Sequence, residues 1–80
     1  MNRNEIFKKL TAVFQDVFDD ENIAIGEKTT AADIEDWDSL THIMLLSAIE
    51  DEFDVKFDMK AVQGLKDVGA MVDLIGEMLN

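Results

Sequence analysis

The chain has 80 residues, 48% of them hydrophobic, and its 18 acidic residues against seven basic ones give a formal net charge of −11. This length allows one domain with a compact core, expected to span residues 1–80, and the hydrophobic share is too high for a disordered chain of such charge. The negative charge argues against nucleic acids and anionic membrane surfaces as partners and favours basic protein surfaces.

The first predicted element is an amphipathic helix from Asn4 to Phe18. Its apolar residues recur at helical spacing and share one side: Ile6, Phe7, Leu10, Val13, Phe14, Val17 and Phe18. The polar run from Asp19 to Asn22 ends the helix. The pattern predicts that this helix packs against the core along one face.

A long connection follows, in which neither the period of a strand nor that of a helix is visible. Apolar residues punctuate it at intervals: Ile23, Ile25, Ile34 and Trp37. Apolar side chains at such intervals favour a loop that packs onto the core over a flexible linker. We therefore predict a long, ordered loop.

The second long helix is predicted to begin at Ser39. Asp38 is a favourable N-cap, because its carboxylate can accept hydrogen bonds from backbone amides of the first turn. Neither Gly nor Pro interrupts the chain from there to Phe53. The side of this helix that is expected to face the core carries five residues: His42, Leu45, Leu46, Ile49 and Phe53.

The remaining surface of the second helix is more apolar than is usual for a helix face exposed to solvent. One interpretation is that neighbouring elements bury the helix nearly all round. The other is a docking surface, in which an apolar patch beside Ser39 is rimmed by acids and suits partners with a basic face around a hydrophobic depression. We call this predicted surface the docking face, and it consists of Leu40, Ile43, Met44, Ser47, Glu50, Asp51 and Asp54.

Two shorter stretches and a last helix complete the chain. Residues 55–57 alternate like a strand but have no partner segment, so we expect a connector. Asp58 can cap a short helix through Val62 that ends near Gly64, and Asp67 can cap the last helix. The apolar residues of that helix are Val68, Met71, Val72, Leu74, Ile75, Met78 and Leu79. Three longer helices and one short helix predict an all-α bundle.

The chain resembles the acyl carrier protein family over nearly its whole length, most closely from Asp33 to Phe57. The resemblance is carried by Asp38-Ser39-Leu40 at a helix start and by the run from Ala48 to Asp54. It implies the family's four-helix fold. It also implies that Ser39, between Asp38 and Leu40, bears a covalent 4'-phosphopantetheine arm, which a separate Mg-dependent phosphopantetheinyl transferase donates from coenzyme A.

The arm supplies the thiol that this cysteine-free chain lacks. By resemblance, its thioester holds acyl or aminoacyl groups for acyl-loading, condensing or acyl-transfer enzymes of fatty acid, polyketide or related biosynthesis, and the carrier itself catalyses nothing. Carriers of primary fatty acid synthesis usually have acidic residues at the positions of Thr41 and Met44. Their absence favours a specialised carrier, with polyketide, peptidyl and D-alanyl types among the candidates.

The helix start is also a chemically reasonable place for a phosphodiester. A phosphate on Ser39 is expected to lie near unpaired backbone amides and the positive end of the helix dipole. Trp37 and His42 flank this position in sequence, so either side chain is a candidate for contact with the arm. We place His42 near the core edge, which argues against a catalytic triad with Ser39.

Other site chemistries fit the sequence poorly. One His and no Cys cannot supply a zinc ligand set, and the acidic segment 33–38 does not follow the calcium-loop pattern. The alternative function is a small acidic helical module that binds a basic protein without covalent modification. With no leader or membrane span in the sequence, we expect a cytoplasmic monomer that does not insert into membranes.

Overall fold

The computed structural model describes residues 1–79, apart from the side chain of Met59, and consists of α-helices joined by loops. The elements are α1 (Arg3–Val17), a 3₁₀ turn (Ala31–Asp33), α2 (Ser39–Phe53), α3 (Met59–Gln63) and α4 (Val68–Leu79). Residues 1–79 contain no strand, which confirms the predicted all-α bundle of three longer helices and one short one. None of these helices is long and apolar enough to cross a membrane. Asn80, the last residue of the expected domain, lies outside the described residues.

Helix α1 begins and ends one residue earlier than the periodicity predicted. Its N-cap is Asn2, whose side-chain oxygen accepts the Glu5 N–H at 2.9 Å. At the other end, Asp19 adopts a left-handed backbone conformation with φ 51°. This conformation does not continue a right-handed helix, so the chain turns away directly after Phe18.

The later helices begin where their predicted caps lie. Asp38, Asp58 and Asp67 each accept hydrogen bonds from backbone N–H groups two or three residues further on, at distances between 2.8 and 3.0 Å. Residues 55–57 form the expected connector between α2 and α3. Local capping chemistry therefore accounts for the starts of α2, α3 and α4.

The core lies where α1 packs against α2 and α4. Its buried side chains are Ile6, Leu10, Val13, Phe14, Phe18, Leu45, Ile49, Phe53, Val68, Met71, Val72 and Ile75. The four apolar residues predicted to fix the long loop, among them Trp37, all pack against this core. The loop is ordered as expected, and it contains the 3₁₀ turn, which is too short for its periodicity to be visible in the sequence.

The start of α4 is also joined to this loop. The Gly69 N–H donates to the Glu27 carbonyl oxygen at 2.9 Å. The Arg3 side chain forms ion pairs with Glu27 and Asp73, so it connects the start of α1 to the loop and to α4. Hydrogen bonds that the guanidinium donates to these two carboxylates raise the pKa of Arg3, and the bond from the guanidinium lowers the pKa of Glu27.

Candidate functional site

The start of α2 holds Ser39 on a rigid backbone. Asp38 Oδ1 accepts the N–H groups of Leu40 at 3.0 Å and Thr41 at 2.9 Å. Thr41 Oγ1 in turn accepts the Asp38 N–H at 2.8 Å, which completes a reciprocal capping box. Ser39 is exposed at the first position of the helix. Its hydroxyl is therefore accessible to another protein, while its backbone is fixed on both sides.

Three amides of the first turn are occupied, so the expectation that a phosphate on Ser39 meets unpaired N–H groups is limited to the N–H of Ser39 itself. Besides the two bonds from Leu40 and Thr41 to the Asp38 carboxylate, the His42 N–H donates to the Asp38 carbonyl oxygen at 2.9 Å. The bond from the Thr41 backbone is the main cause that lowers the pKa of Asp38. A phosphate on Ser39 would thus lie beside an ionised carboxylate, and nearby side chains and the helix dipole would contribute to its stabilisation.

A groove of about 450 Å³ opens beside Ser39. Besides Ser39, its walls include Trp37, His42, Leu65, Lys66 and Met71. Lys66 is the only Lys or Arg in the lining that the structure describes, and it brings a positive charge to the side of Ser39. No motif in the sequence indicates that residues 65–71 approach Ser39, because the packing of α2 and α4 against α1 brings them together.

Trp37 and His42 form a hydrogen-bonded pair in the wall of this groove. Trp37 Nε1–H donates to His42 Nδ1 at 3.0 Å, and the two rings stack with 5.9 Å between their centroids. The Trp37 ring also packs against the buried Phe14 ring in a T-shaped arrangement, with 5.2 Å between their centroids. Because an indole N–H can only donate, His42 Nδ1 is unprotonated, and the proton of the neutral ring is on Nε2.

Comparisons with known proteins decide the family. The family model described as phosphopantetheine attachment site matches residues 8–75. The solution NMR structure of the holo acyl carrier protein from Geobacter metallireducens is 40% identical, with a TM-score of 0.87 over 91% of this chain and 84% of its own. No curated protein that was compared matches the chain significantly. The chain belongs to the phosphopantetheine attachment family.

The chain is thus a non-catalytic acyl carrier that bears a covalent 4'-phosphopantetheine and is modified by a phosphopantetheinyl transferase. This confirms the resemblance drawn from Asp38-Ser39-Leu40 and the helix that follows. The matched range includes α2 and the whole loop before it, so the groove and the capped serine both lie inside the family's domain.

On the outer side of α2, the carrier exposes three large apolar side chains. Leu40 is 69% exposed, Ile43 66% and Met44 52%. The interpretation that neighbouring elements bury α2 nearly all round is therefore wrong. The opposite side follows the predicted stripe, with Leu45, Ile49 and Phe53 buried and both His42 and Leu46 half-buried.

The polar residues of the predicted docking face differ in their surroundings. Ser47, Asp51 and Asp54 are exposed. Glu50 is half-buried, and its Oε2 accepts the Phe57 N–H at 2.8 Å. Part of the Glu50 carboxylate therefore secures the connector after α2. No pattern in the sequence indicates this contact, because it depends on the left-handed turn at Asp54 that brings residues 55–57 back towards α2.

Proposed function

We propose that the arm of this carrier is attached to Ser39 and that its thioester presents acyl or aminoacyl groups to partner enzymes. The observation that carries the proposal is an exposed serine at a rigid helix start, beside a groove and inside the range matched by the family model. The arm supplies a thiol to a chain that has no cysteine.

The residues around Ser39 fit a phosphodiester with an extended arm. The exposed hydroxyl gives a transferase access to the attachment point. The groove offers space for the arm next to the attachment point. Lys66, Asp38 and Asp67 all line this groove, and the positive charge of Lys66 opposes the negative charges of the two carboxylates and of the phosphate. Together with the helix dipole, this charge is suited to offset the negative charge of the phosphate.

We propose that the docking face receives the transferase and the acyl-loading, condensing or acyl-transfer enzymes. Leu40, Ile43 and Met44 form its apolar part, and Asp51 and Asp54 lie further along. Partners with a hydrophobic depression and a basic rim suit it, because apolar contact holds the complex while charge speeds encounter. Glu50 belongs to the face by position, but its bond to the connector leaves less of its charge for a partner.

We infer a specialised biosynthetic pathway rather than primary fatty acid synthesis. The support is the pair Thr41 and Met44, at positions where primary carriers usually have acids. Thr41 and Met44 are uncharged, so neither position offers a negative charge to a partner. The Thr41 hydroxyl belongs to the capping box, and the Met44 side chain presents an apolar surface to solvent. We place the carrier in the cytoplasm as a monomeric single domain of residues 1–80.

Intact mass measurement tests the attachment site. Co-expression with a broad-specificity phosphopantetheinyl transferase is expected to add the mass of one phosphopantetheine, and Ser39→Ala abolishes the gain. The chain has two serines, both exposed on α2, so Ser47→Ala is a matched control that keeps the gain. The proposal is wrong if wild type stays unmodified where a known carrier is converted, as an unmodified interaction module would, or if Ser39→Ala is still modified.

A further inference from the structure

The methionines of this carrier differ widely in their exposure to solvent. Of the methionine side chains that the structure describes, Met71 is 1% exposed and Met78 is half-buried, whereas Met1 is 50% exposed and Met44 52%. Met1 precedes α1, and Met44 lies in the middle of α2. A reagent in solvent that attacks thioethers therefore reaches the sulfur of Met44 far more readily than that of Met71.

Met44 also belongs to the apolar part of the docking face. It follows Ile43 directly and Leu40 by four residues, a spacing that makes the side chains of Leu40 and Met44 neighbours on the helix surface. All three side chains are exposed, and Met44 lies outside the hydrophobic core. Its thioether is therefore part of the surface where we propose that partners make apolar contact.

An exposed thioether can be oxidised by hydrogen peroxide in one two-electron step. A lone pair of the sulfur attacks one peroxide oxygen, and the O–O bond breaks as the S–O bond forms. The proton of the transferred oxygen passes to the other oxygen, which leaves as water. The sulfur is thereby oxidised to the sulfoxide and the peroxide is reduced. Methionine sulfoxide reductases reverse the change with two thiols, which become a disulfide while the sulfoxide oxygen leaves as water.

The sulfoxide makes the Met44 side chain polar without giving it a charge. Its oxygen accepts hydrogen bonds from water, and covering that oxygen with an apolar surface that offers no donor costs free energy. Because Met44 lies outside the core, the cost arises when a partner binds and not when the chain folds. Oxidation at this position therefore acts on complexes of the carrier and leaves the helical bundle intact.

We propose that Met44 is a reversible oxidation site, through which peroxides weaken the binding of partner enzymes to the docking face. The reduced thioether forms one apolar patch with Leu40 and Ile43, the sulfoxide interrupts this patch, and reduction restores it. The proposal rests on the proposed use of this face by partners. Modification and loading of the carrier then slow down under oxidising conditions while the fold is kept.

Treatment of the apo carrier with hydrogen peroxide tests this. The chain has five methionines and no cysteine, so no thiol competes for the oxidant, and peptide mass mapping follows each methionine separately. Met44 is expected to gain one oxygen at doses that leave Met71 unmodified. We expect kcat/KM for the phosphopantetheinyl transferase to fall about fivefold, thermal unfolding to stay as it was, and a methionine sulfoxide reductase to restore kcat/KM. Oxidised Met44 with unchanged kcat/KM, or a fall in kcat/KM that accompanies unfolding, would overturn the proposal.

Two variants connect the loss to this position. Each is compared with itself before and after peroxide treatment, so its starting kcat/KM does not enter the comparison. Met44→Leu retains the other methionines and is expected to keep its kcat/KM on treatment. Met44→Leu combined with Ala24→Met moves the exposed thioether to the long loop, and it is expected to keep its kcat/KM although the new methionine is oxidised. A fall as large as that of wild type in either protein would show that Met44 is not the site.

Met44→Glu distinguishes failure of this proposal from failure of the docking face. It places a full charge at the position where oxidation adds only a dipole. If Met44→Glu lowers kcat/KM and the sulfoxide does not, the transferase uses this face, but oxidation of Met44 does not regulate it. If neither change lowers kcat/KM, the proposed docking face is itself wrong, and the oxidation site is rejected with it.

Discussion

Asp38 joins the folding of α2 to the chemistry of Ser39. Its carboxylate and carbonyl together accept the N–H groups of Leu40, Thr41 and His42, so the serine that follows has a fixed backbone, and its side chain is exposed. Capping depends on neighbours in the sequence, and for this reason Asp38 and the exposure of Ser39 were predictable. From the sequence, Thr41 was notable only because primary carriers usually have an acidic residue at its position. In the structure its hydroxyl oxygen accepts the Asp38 N–H and completes the capping box.

Because Asp38 caps α2 as an ionised carboxylate, we expect the stability of the carrier to depend on pH in the acidic range. The bond from the Thr41 backbone is the main cause that lowers the folded pKa of Asp38 below its ordinary 3.8. A carboxyl with a depressed folded pKa stabilises the protein above its unfolded pKa, and this contribution is lost as the pH falls through the folded pKa. Asp38→Asn keeps a capping side chain but does not ionise. We therefore expect the variant to have a lower melting temperature than wild type at pH 7.

Thermal unfolding from pH 7 down to pH 2 measures this effect. The gap in melting temperature between wild type and Asp38→Asn is expected to close below about pH 3.8, the ordinary value for this carboxyl. Asp36→Asn is a suitable control, because it removes an exposed carboxylate two residues earlier in the chain. A gap that is independent of pH would show that the ionised form of Asp38 does not stabilise the cap.

Helix α2 shows what periodicity can and cannot predict. The angle of about 100° per residue placed Leu45, Ile49 and Phe53 in the core and left Ile43 and Met44 outside it, as the structure has them. Helical geometry requires no knowledge of the neighbours, so this part was predictable. The pairing of Trp37 with His42 was not, because it depends on how the loop folds back onto α2.

The exposed apolar part of the docking face gives a prediction for α2. Met44→Glu or Ile43→Glu places a charge where we propose that partners make apolar contact. We expect kcat/KM for modification by the phosphopantetheinyl transferase to fall about tenfold, which corresponds to about 1.4 kcal/mol, a moderate cost for a residue that contributes to an interface. Because both side chains are exposed, the free energy of unfolding is expected to change by about 0.5 kcal/mol or less.

A matched control is available in the long loop. Ala24→Glu introduces the same side chain at an exposed position outside α2 and is expected to leave kcat/KM near the wild-type value. Transferase kinetics and urea unfolding are measured on all variants. If Ile43→Glu collapses the stability, the position belongs to the core; if stability and kcat/KM both stay at wild-type values, partners do not use this face.

At the scale of the whole molecule, contacts distant in sequence hold the ordered loop. The loop meets the start of α4 through its backbone, and Arg3 bridges Glu27 and Asp73 from α1. In a chain with a net charge of −11, these ion pairs place the positive charge of Arg3 against one carboxylate of the loop and one of α4. The bundle was predictable from helical periods. The attachment of the loop to α4 was not, because a bond between distant backbone groups leaves no pattern in the sequence.

Gly69 lies at the closest of these contacts, and it provides a test of how the loop is held. A Cβ at this position would lie 2.6 Å from the Glu27 carbonyl oxygen, which accepts the Gly69 N–H. Gly69→Ala must therefore displace the loop backbone or break the bond, and we expect a loss of about 1–3 kcal/mol in the free energy of unfolding.

Gly76→Ala, in the same helix, is the control, because its Cβ would meet only Ile6 Cδ1 at 3.8 Å. The gain in helix propensity is expected to stabilise that variant by up to about 1 kcal/mol. Urea unfolding of both proteins gives the comparison. Equal stability of the two variants would mean that the loop yields freely at Glu27, and that the close approach to α4 does not hold it in place beside the groove.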